Sequence, residues 1–259
     1  MDFDLDATQR DLQGLAADVL GKEARQDRIE EHERGGGPYA QGMWAAMARA
    51  GLLGACLPVE AGGAGLGPVE LAVLLRETGA RVAPVPALHA LTAALAVARY
   101  GSRRQREALA PLAAGETVLT VALREPGAAL AAAPGTTARP DGGGWLLDGR
   151  KTMVSYAAQA SRILVPAREG LFLVDGAAVT TRPEHTSTGE PAATVTLEAT
   201  PAERVGGPEA VAGLRSLALA GIAATVSGVL AGALGLTTEH LRTRRQFGAT
   251  SCASTSRRA

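Results

Sequence analysis

The sequence is poor in aromatic residues and cysteine, and it carries no net charge. Aromatic residues make up 3% of its 259 residues, so a surface of stacked rings for single-stranded nucleic acid is not expected. The 26 basic residues match 26 acidic ones, which leaves no basic surplus to neutralise nucleic-acid phosphates. Two cysteines, Cys56 and Cys252, are too few for a disulfide framework. We therefore expect no nucleic-acid partner.

The four histidines are scattered along the chain, and none stands at the spacing of common zinc ligands. We therefore predict no metal site. The first six residues are acidic and lack the apolar core of a signal peptide, which favours a cytoplasmic location. With 46% hydrophobic residues the chain has enough apolar side chains for a large core, which excludes a disordered protein.

Charged residues are absent from one long segment, residues 216–238. These 23 residues are enough to span a bilayer, and a membrane-anchored protein is one interpretation of them. The segment contains six alanines and four glycines, including Gly228 and Gly232 at the spacing of closely packed helices. Because this composition is weakly apolar for lipid, we favour a helix in a bundle and expect no membrane. We expect its packing partners to be mainly helices that this chain lacks.

Patterns of apolar residues divide the chain into regions of different type. Residues 1–116 carry helical periodicity, which predicts an N-terminal helical domain. Residues 117–208 contain short segments rich in β-branched residues between turns, which predicts a middle domain with an antiparallel sheet or small barrel. Residues 209–248 are predicted to be the first helix of a C-terminal helical bundle, and residues 249–259 an irregular tail. The predicted fold class is therefore α+β and multidomain.

Four segments, in order along this arrangement, resemble motifs of the acyl-CoA dehydrogenase family. They are residues 101–116, 122–127, 145–151 and 244–248, the last reading Arg-Arg-Gln-Phe-Gly. The resemblance implies a flavoprotein that binds FAD between the β domain and the C-terminal bundle. It also implies α,β-desaturation of an acyl-CoA thioester, in which a base removes the α-proton and FAD accepts the β-hydride. It leaves the electron acceptor open.

The resemblance assigns four cofactor-binding residues to the β domain. Leu123 and Arg124 stand in the motif that opens this domain, with Arg124 in place of the family's threonine or serine. Met153 replaces a flavin-facing aromatic ring, and Ser155 keeps the hydroxyl donor that the family has two residues further on. The alternative for Met153 and Ser155 is an ordinary strand whose side chains alternate between two faces.

Three further cofactor-binding residues come from the last motif. Arg244 is implied to contact the FAD pyrophosphate of a neighbouring subunit, since a guanidinium offers paired donors that suit phosphate. Gln246 and Phe247 would flank the adenosine side. A contact across subunits implies a homo- or hetero-oligomer of acyl-CoA dehydrogenase-like subunits. The alternative for Arg244 is that it favours the negative end of a helix dipole.

No catalytic residue can be assigned from the sequence. The family's carboxylate base usually lies beyond the Arg-x-Gln-Phe-Gly helix, and this chain ends eleven residues after Gly248. Glu190, Glu198 and Glu239 are acids without a link to an α-proton. We interpret the chain as truncated or frameshifted and as lacking its base. The alternative is a non-catalytic subunit that helps to form the FAD site of a hetero-oligomeric acyl-CoA dehydrogenase.

Overall fold

The computed structural model describes residues 4–128, 130, 133–246 and 249–250. Within these residues, helices occupy the first part of the chain and one further helix follows the sheet. The bounds are α1 Ala7–Glu23, α2 Gln26–Gly35, α3 Gln41–Arg49, α4 Pro68–Ala80, α5 Ala87–Tyr100, α6 Arg103–Glu107, α7 Ala110–Ala113 and α8 Pro208–Thr243.

Helix α1 begins at a local signal that the sequence carries. The Asp6 carboxylate accepts a hydrogen bond from the Gln9 amide at 2.8 Å, and the Gln9 side chain accepts one from the Asp6 amide at 3.0 Å. This reciprocal pair satisfies two amides that the first turn leaves without helical partners. Leu12, Ala16 and Leu20 then face the core at intervals of four residues.

Strands form one seven-stranded sheet and one short pair in the described part of the chain. Their bounds are β1 Leu119–Val121, β2 Thr137–Asp141, β3 Gly144–Ser155, β4 Arg162–Ala167, β5 Gly170–Asp175, β6 Thr180–Glu184, β7 Ala192–Gly206, β8 Arg245–Gln246 and β9 Ala249–Thr250. The large sheet has the order β1-β4-β5-β7-β3-β2, and β6 pairs with β7.

The sheet is antiparallel, as predicted, with one exception. Strands β1 and β4 run parallel, with Leu119 opposite Arg162. The β2–β3 hairpin lies between them in the chain, and such an excursion allows β4 to enter the sheet in the same direction as β1. The region is therefore a mixed sheet, and the α+β fold class predicted from the sequence is confirmed.

The sheet is buried on both faces. Leu164 and Leu173 belong to a core shared with the helices, whereas their strand neighbours Val165 and Phe172 belong to a second core inside the β domain. Successive side chains of a strand point to opposite faces, so β4 and β5 are apolar at nearly every position. Since Leu214 of α8 joins the first core, the N-terminal helices, the sheet and α8 pack as one body.

Helix α8 corrects one expectation about its packing. The backbone of Gly228 lies against α4, where an added Cβ would stand 1.9 Å from the Arg76 carbonyl oxygen. A Cβ added at Gly232 would stand 2.3 Å from the Ala80 carbonyl oxygen. These glycines therefore permit a close helix–helix contact within this chain, which supplies part of the packing that was expected mainly from helices outside it.

The outer face of α8 is apolar and exposed along much of its length. Leu219, Val226, Leu230 and Leu234 are among the exposed side chains. By length and composition this helix passes the test for a membrane span, and 22% of its most apolar window is buried. The same features are found in helices that pack against another protein surface.

The end of the described chain differs from the predicted boundaries. Helix α8 ends at Thr243, although residues up to 248 were predicted to be helical. Arg245–Gln246 pairs instead with Ala249–Thr250, part of the predicted irregular tail. The predicted division at residue 116 falls between α7 and β1, and the one at residue 208 falls on the first residue of α8. As domain boundaries both stay predictions.

Candidate cofactor site

Four of the predicted cofactor-binding residues come together where the loop after β1 meets the last part of β3. The Thr152 amide donates a hydrogen bond to the Arg124 carbonyl at 2.9 Å. This bond places Leu123 and Arg124 beside Met153 and Ser155. Leu123 is half-buried and the Arg124 side chain is exposed, so the guanidinium is accessible to a ligand.

A buried ion pair fixes this junction. Lys151 is fully buried, and its ammonium donates to Glu125 Oε1 at 2.6 Å and to the Pro166 carbonyl at 2.7 Å. Glu125 also accepts hydrogen bonds from the Gly135 amide and from the amide and hydroxyl of Thr136, at 2.6 to 3.0 Å. The loop after β1 is therefore attached to β3, to β4 and to the start of β2.

These contacts decide the charge of the pair. Burial raises the Glu125 pKa, but the hydrogen bonds from Lys151, Thr136 and Gly135 outweigh it and lower the pKa to about 2. Burial lowers the pKa of Lys151, and the nearby Glu125 carboxylate opposes that shift. Glu125 is therefore ionised at neutral pH, where it acts as an acceptor for every donor around it.

The loop offers two backbone donors to a ligand. The Ala122 amide continues the parallel ladder by donating to the Leu164 carbonyl at 2.9 Å. Pro166 O, two residues further along β4, accepts from Lys151. Among the described residues, the amides of Leu123 and Arg124 donate no hydrogen bond. Adjacent amides free of acceptors suit the carbonyl-rich edge of a flavin ring, so this loop fits the implied cofactor.

Strand β3 is not an ordinary strand at the junction. Its pairing with β7 shifts register between Lys151 and Val154, and Met153 has a φ of 51°. Such an angle is unfavourable for a side chain with a Cβ, and bulges of this kind re-aim side chains next to binding sites. The alternative of an ordinary strand, whose side chains alternate between two faces, is therefore wrong at this point. Met153 is half-buried and does not follow the alternation of its strand.

Ser155 has a partner that the sequence did not indicate. Its hydroxyl donates to Glu190 Oε2 at 3.0 Å, and its carbonyl accepts from the Thr120 hydroxyl at 2.6 Å. The Tyr156 hydroxyl also interacts with Glu190 and lowers the pKa of that carboxyl, and Glu190 Oε1 lies 3.5 Å from His89 Nε2. The hydroxyl proton predicted to face a flavin is therefore directed toward a carboxylate.

The Glu190 cluster joins the helical domain to the sheet. His89 belongs to α5, and its ring lies 6.1 Å from the ring of Tyr156. Tyr39 packs edge-on against the other side of Tyr156 at 6.2 Å. Burial raises the Glu190 pKa, but hydrogen bonds from His89, Ser155 and Tyr156 outweigh it and lower the pKa. Burial and the carboxylate together raise the pKa of Tyr156, which stays a neutral donor.

Arg244 lies far from the other predicted residues. Leu123 and Glu125 line a small cavity with Val211 and Arg215 at the beginning of α8. At 1.5 Å per residue, the 29 residues from Arg215 to Arg244 span about 44 Å of helix. One FAD molecule does not reach across this distance. Arg244 therefore cannot serve the same FAD as the β-domain loop of its own chain.

The other predicted cofactor-binding residues stand at the C-terminal end of α8 or follow it in the sequence. Arg244 ends α8 with an extended backbone, in the C-cap position. Gln246 belongs to β8 through its backbone, and its side chain lies outside the described residues. Phe247 also lies outside them. Across the described ranges, no three metal-ligating side chains converge on a common point.

A cleft of about 940 Å³ lies elsewhere in the described structure. It lies between α6–α7 and the sheet, and none of the described cofactor-binding candidates lines it. Its charged rim is internally paired, since Arg104 and Arg162 both contact Glu203, at 2.7 and 3.3 Å. The candidate cofactor site is thus defined by its free donors and not by the size of a cavity.

Sequence reasoning missed the residues that hold the candidate site together. Glu125 and Lys151 stand in motifs that we quoted, and Lys151 is one of only two lysines, yet neither was assigned a role. Glu190 was named only as an available acid. His89 interrupts the otherwise apolar start of α5, which is the signal that could have located it.

Comparisons with known proteins agree with this geometry. The sequence profile of the acyl-CoA dehydrogenase N-terminal domain matches residues 6–116. The acyl-CoA dehydrogenases FadE27 and FadE28 of Mycobacterium tuberculosis are 32% and 31% identical to the chain, over 95% and 96% of it. The chain spans 68% of the length of each relative.

Solved structures resemble the whole described fold. A variant of the Tcur3481-Tcur3483 steroid ACAD has a TM-score of 0.88 at 41% identity, over 94% of this chain and 69% of that one. The ChsE4-ChsE5 complex from Mycobacterium tuberculosis has a TM-score of 0.87 at 28% identity, over 96% and 71%. A glutaryl-CoA dehydrogenase from Mycobacterium smegmatis, in complex with FADH2, shares the fold with a TM-score of 0.81 at 22% identity, over 96% and 69%. These similarities confirm the resemblance found in the motifs.

Proposed function

The chain belongs to the acyl-CoA dehydrogenase family, and we propose that it is an FAD-binding subunit of an enzyme that desaturates an acyl-CoA thioester. Family membership confirms FAD as the cofactor that the motifs implied. The observation that carries the proposal is the pair of free amides at Leu123 and Arg124, held beside Met153 and Ser155. FAD supplies the acceptor for the hydride that leaves the β-carbon.

The residues of this chain would bind and orient that cofactor. The amides of Leu123 and Arg124 would donate to acceptor atoms of the ring, and the Arg124 guanidinium would favour negative charge on the reduced form. Met153 would supply a flexible, polarisable contact to the ring. Glu125 and Lys151 would keep the loop in place, since ordered donors stabilise charge without having to reorganise. No described carboxylate is assigned the removal of the α-proton.

A first experiment asks whether the full chain holds FAD. The chain is purified, incubated with FAD, and separated from free cofactor, and its visible absorbance is recorded. We expect flavin bands with up to one FAD per chain. Bleaching of these bands by an acyl-CoA under anaerobic conditions would support a complete active site. A colourless chain under all conditions, alone or mixed with a partner subunit, would refute the FAD proposal.

The substrate panel follows from the relatives. The solved relative at 41% identity is described as a steroid ACAD. We therefore propose that the panel include CoA thioesters with steroid-derived acyl groups beside straight-chain ones. Preference for a straight-chain thioester would contradict a steroid assignment while leaving the desaturation proposal intact.

The second candidate function is a non-catalytic subunit of a hetero-oligomer. The separation of about 44 Å between Arg215 and Arg244 is compatible with it, because a contact of Arg244 with FAD would then be with the FAD of another chain. The Tcur3481-Tcur3483 and ChsE4-ChsE5 structures each pair two proteins. We expect Arg244→Ala to lower FAD retention by the assembly, and Arg242→Ala, two residues earlier on the same exposed helix end, to leave it unchanged. Equal retention by both variants would contradict this role.

A further inference from the structure

The Ser155 hydroxyl is committed to Glu190 in a definite direction. A hydroxyl has one proton and two lone pairs, whereas an ionised carboxylate can only accept. The contact of 3.0 Å between Ser155 Oγ and Glu190 Oε2 therefore uses the serine proton. The hydroxyl can therefore interact with another group only through its lone pairs, as an acceptor.

Glu190 is itself held in this orientation. His89 approaches the other oxygen at 3.5 Å from α5, and the carboxylate interacts with the neighbouring Tyr156, whose pKa it raises. The hydrogen bonds also keep the pKa of Glu190 low, so the carboxylate is ionised at neutral pH. A carboxylate held from two elements has little freedom to release the Ser155 proton to a ligand.

We propose that Glu190 is a positioning residue that makes the Ser155 hydroxyl an acceptor for the hydrogen that N5 of FAD carries in its reduced form. This inference rests on the proposed function, since it requires FAD beside Ser155. It reverses the role that the resemblance assigned to this hydroxyl, which was that of a donor.

The reversal has a consequence for the redox balance of the cofactor. N5 of oxidised FAD has a lone pair and no hydrogen, whereas N5 of reduced FAD carries one. A donor at Ser155 would stabilise the oxidised form, and an acceptor stabilises the reduced form. Since the net value of one hydrogen bond is about 1 kcal/mol, the ratio of the two forms should change about fivefold. For a two-electron couple this is about 20 mV in the reduction potential.

The sign of one variant decides between the two roles. Ser155→Ala removes the hydroxyl without changing any charge, and we expect it to lower the reduction potential of bound FAD by about 20 mV. Ser161→Ala is the matched control, because the Ser161 hydroxyl donates to the Val118 carbonyl at 3.2 Å, away from the candidate site. A potential that rises or stays the same in Ser155→Ala would overturn the inference, because a donor or an uninvolved residue gives those results.

A double-mutant cycle then tests the part played by Glu190. Glu190→Ala removes a charge as well as the acceptor, and the charge effect is the same whether residue 155 is serine or alanine. Removal of the negative charge alone raises the potential equally in both backgrounds, so we expect the total change on loss of Glu190 to be more negative in the serine background than in the alanine background. No difference between the backgrounds would refute the positioning role. If the wild-type chain binds no FAD, either alone or with a partner subunit, the proposed function fails and this inference with it, whereas bound FAD with a zero coupling overturns the inference alone.

Discussion

Two partly buried carboxylates contact the same strand, Glu125 at Lys151 and Glu190 at Ser155, and their surroundings differ. Glu125 meets Lys151, a charged partner, and two backbone amides of a neighbouring segment. Glu190 meets Ser155 and Tyr156, which are neutral, and His89, which is charged only when protonated. The first carboxylate therefore attaches a loop to the β domain. The second carboxylate orients a hydroxyl and connects two domains.

The comparison separates two uses of a buried charge. A charge paired with an opposite charge is costly to disrupt, because the partner left behind is buried and uncompensated. A charge surrounded by neutral donors fixes the direction of their protons, and its removal leaves only polar groups unsatisfied. We therefore expect stability to depend more on Glu125 and its partner, and the properties of the cofactor to depend more on Glu190.

The largest effect is expected from breaking the ion pair. Lys151→Met leaves Glu125 ionised and buried, which should lower the free energy of unfolding by about 3–5 kcal/mol in urea denaturation. Lys22→Met is the matched control, since Lys22 is the only other lysine and is exposed. We expect the control to stay within about 0.5 kcal/mol of wild type. Adding Glu125→Gln to Lys151→Met should recover part of the loss, and no recovery would contradict the pair as its cause.

The second-largest effect is expected from acid, which should remove the stability that the ionised Glu125 contributes. The folded-state pKa of about 2 lies below the ordinary value of 4.5, so the ionised form contributes stability above pH 4.5 that is lost toward pH 2. The full loss corresponds to about 3 kcal/mol. Unfolding free energies measured from pH 5 to pH 2 should fall less steeply for Glu125→Gln than for wild type, and parallel profiles would contradict the assignment.

Removal of Glu190 should have a smaller effect on stability. Glu190→Ala leaves the hydroxyls of Ser155 and Tyr156 without their acceptor, for which we expect a loss of about 1–3 kcal/mol in thermal or urea unfolding. Glu198→Ala is the control, because Glu198 is an exposed acid on the same segment of chain. A loss for Glu190→Ala as large as that for Lys151→Met would remove the distinction between the two carboxylates.

The smallest effect concerns the backbone that carries Ser155. The buried Thr120 hydroxyl donates to the Ser155 carbonyl at 2.6 Å. Thr120→Val keeps the shape of the side chain and removes this bond, so unfolding should become easier by about 1 kcal/mol. Thr180→Val, at an exposed position of β6, should change stability by no more than about 0.5 kcal/mol. Equal effects at both positions would indicate that the bond to Ser155 contributes nothing.

Local signals in the sequence were sufficient for the elements and for one half of the candidate site. Helical periodicity over residues 1–116 predicted the N-terminal helices, because the apolar positions that define it lie within a few residues of one another. Leu123, Arg124, Met153 and Ser155 were placed by motifs, and the structure brings them together. The parallel pairing of β1 with β4 was missed because nothing in either strand records the direction in which a distant strand enters a sheet.

By itself, the sequence determined the fold class, the family and the cofactor class, since these depend on periodicity and on motifs read along the chain. Only the tertiary structure decided which acceptor each side-chain proton is donated to and which charges are paired. Glu190 and Ser155 are 35 residues apart, and Glu125 and Lys151 are 26 apart, so no local pattern pairs them. The tertiary structure also separated Arg244 from its own β domain. Helix α8 continues along α4, and each residue of a helix adds about 1.5 Å along its axis.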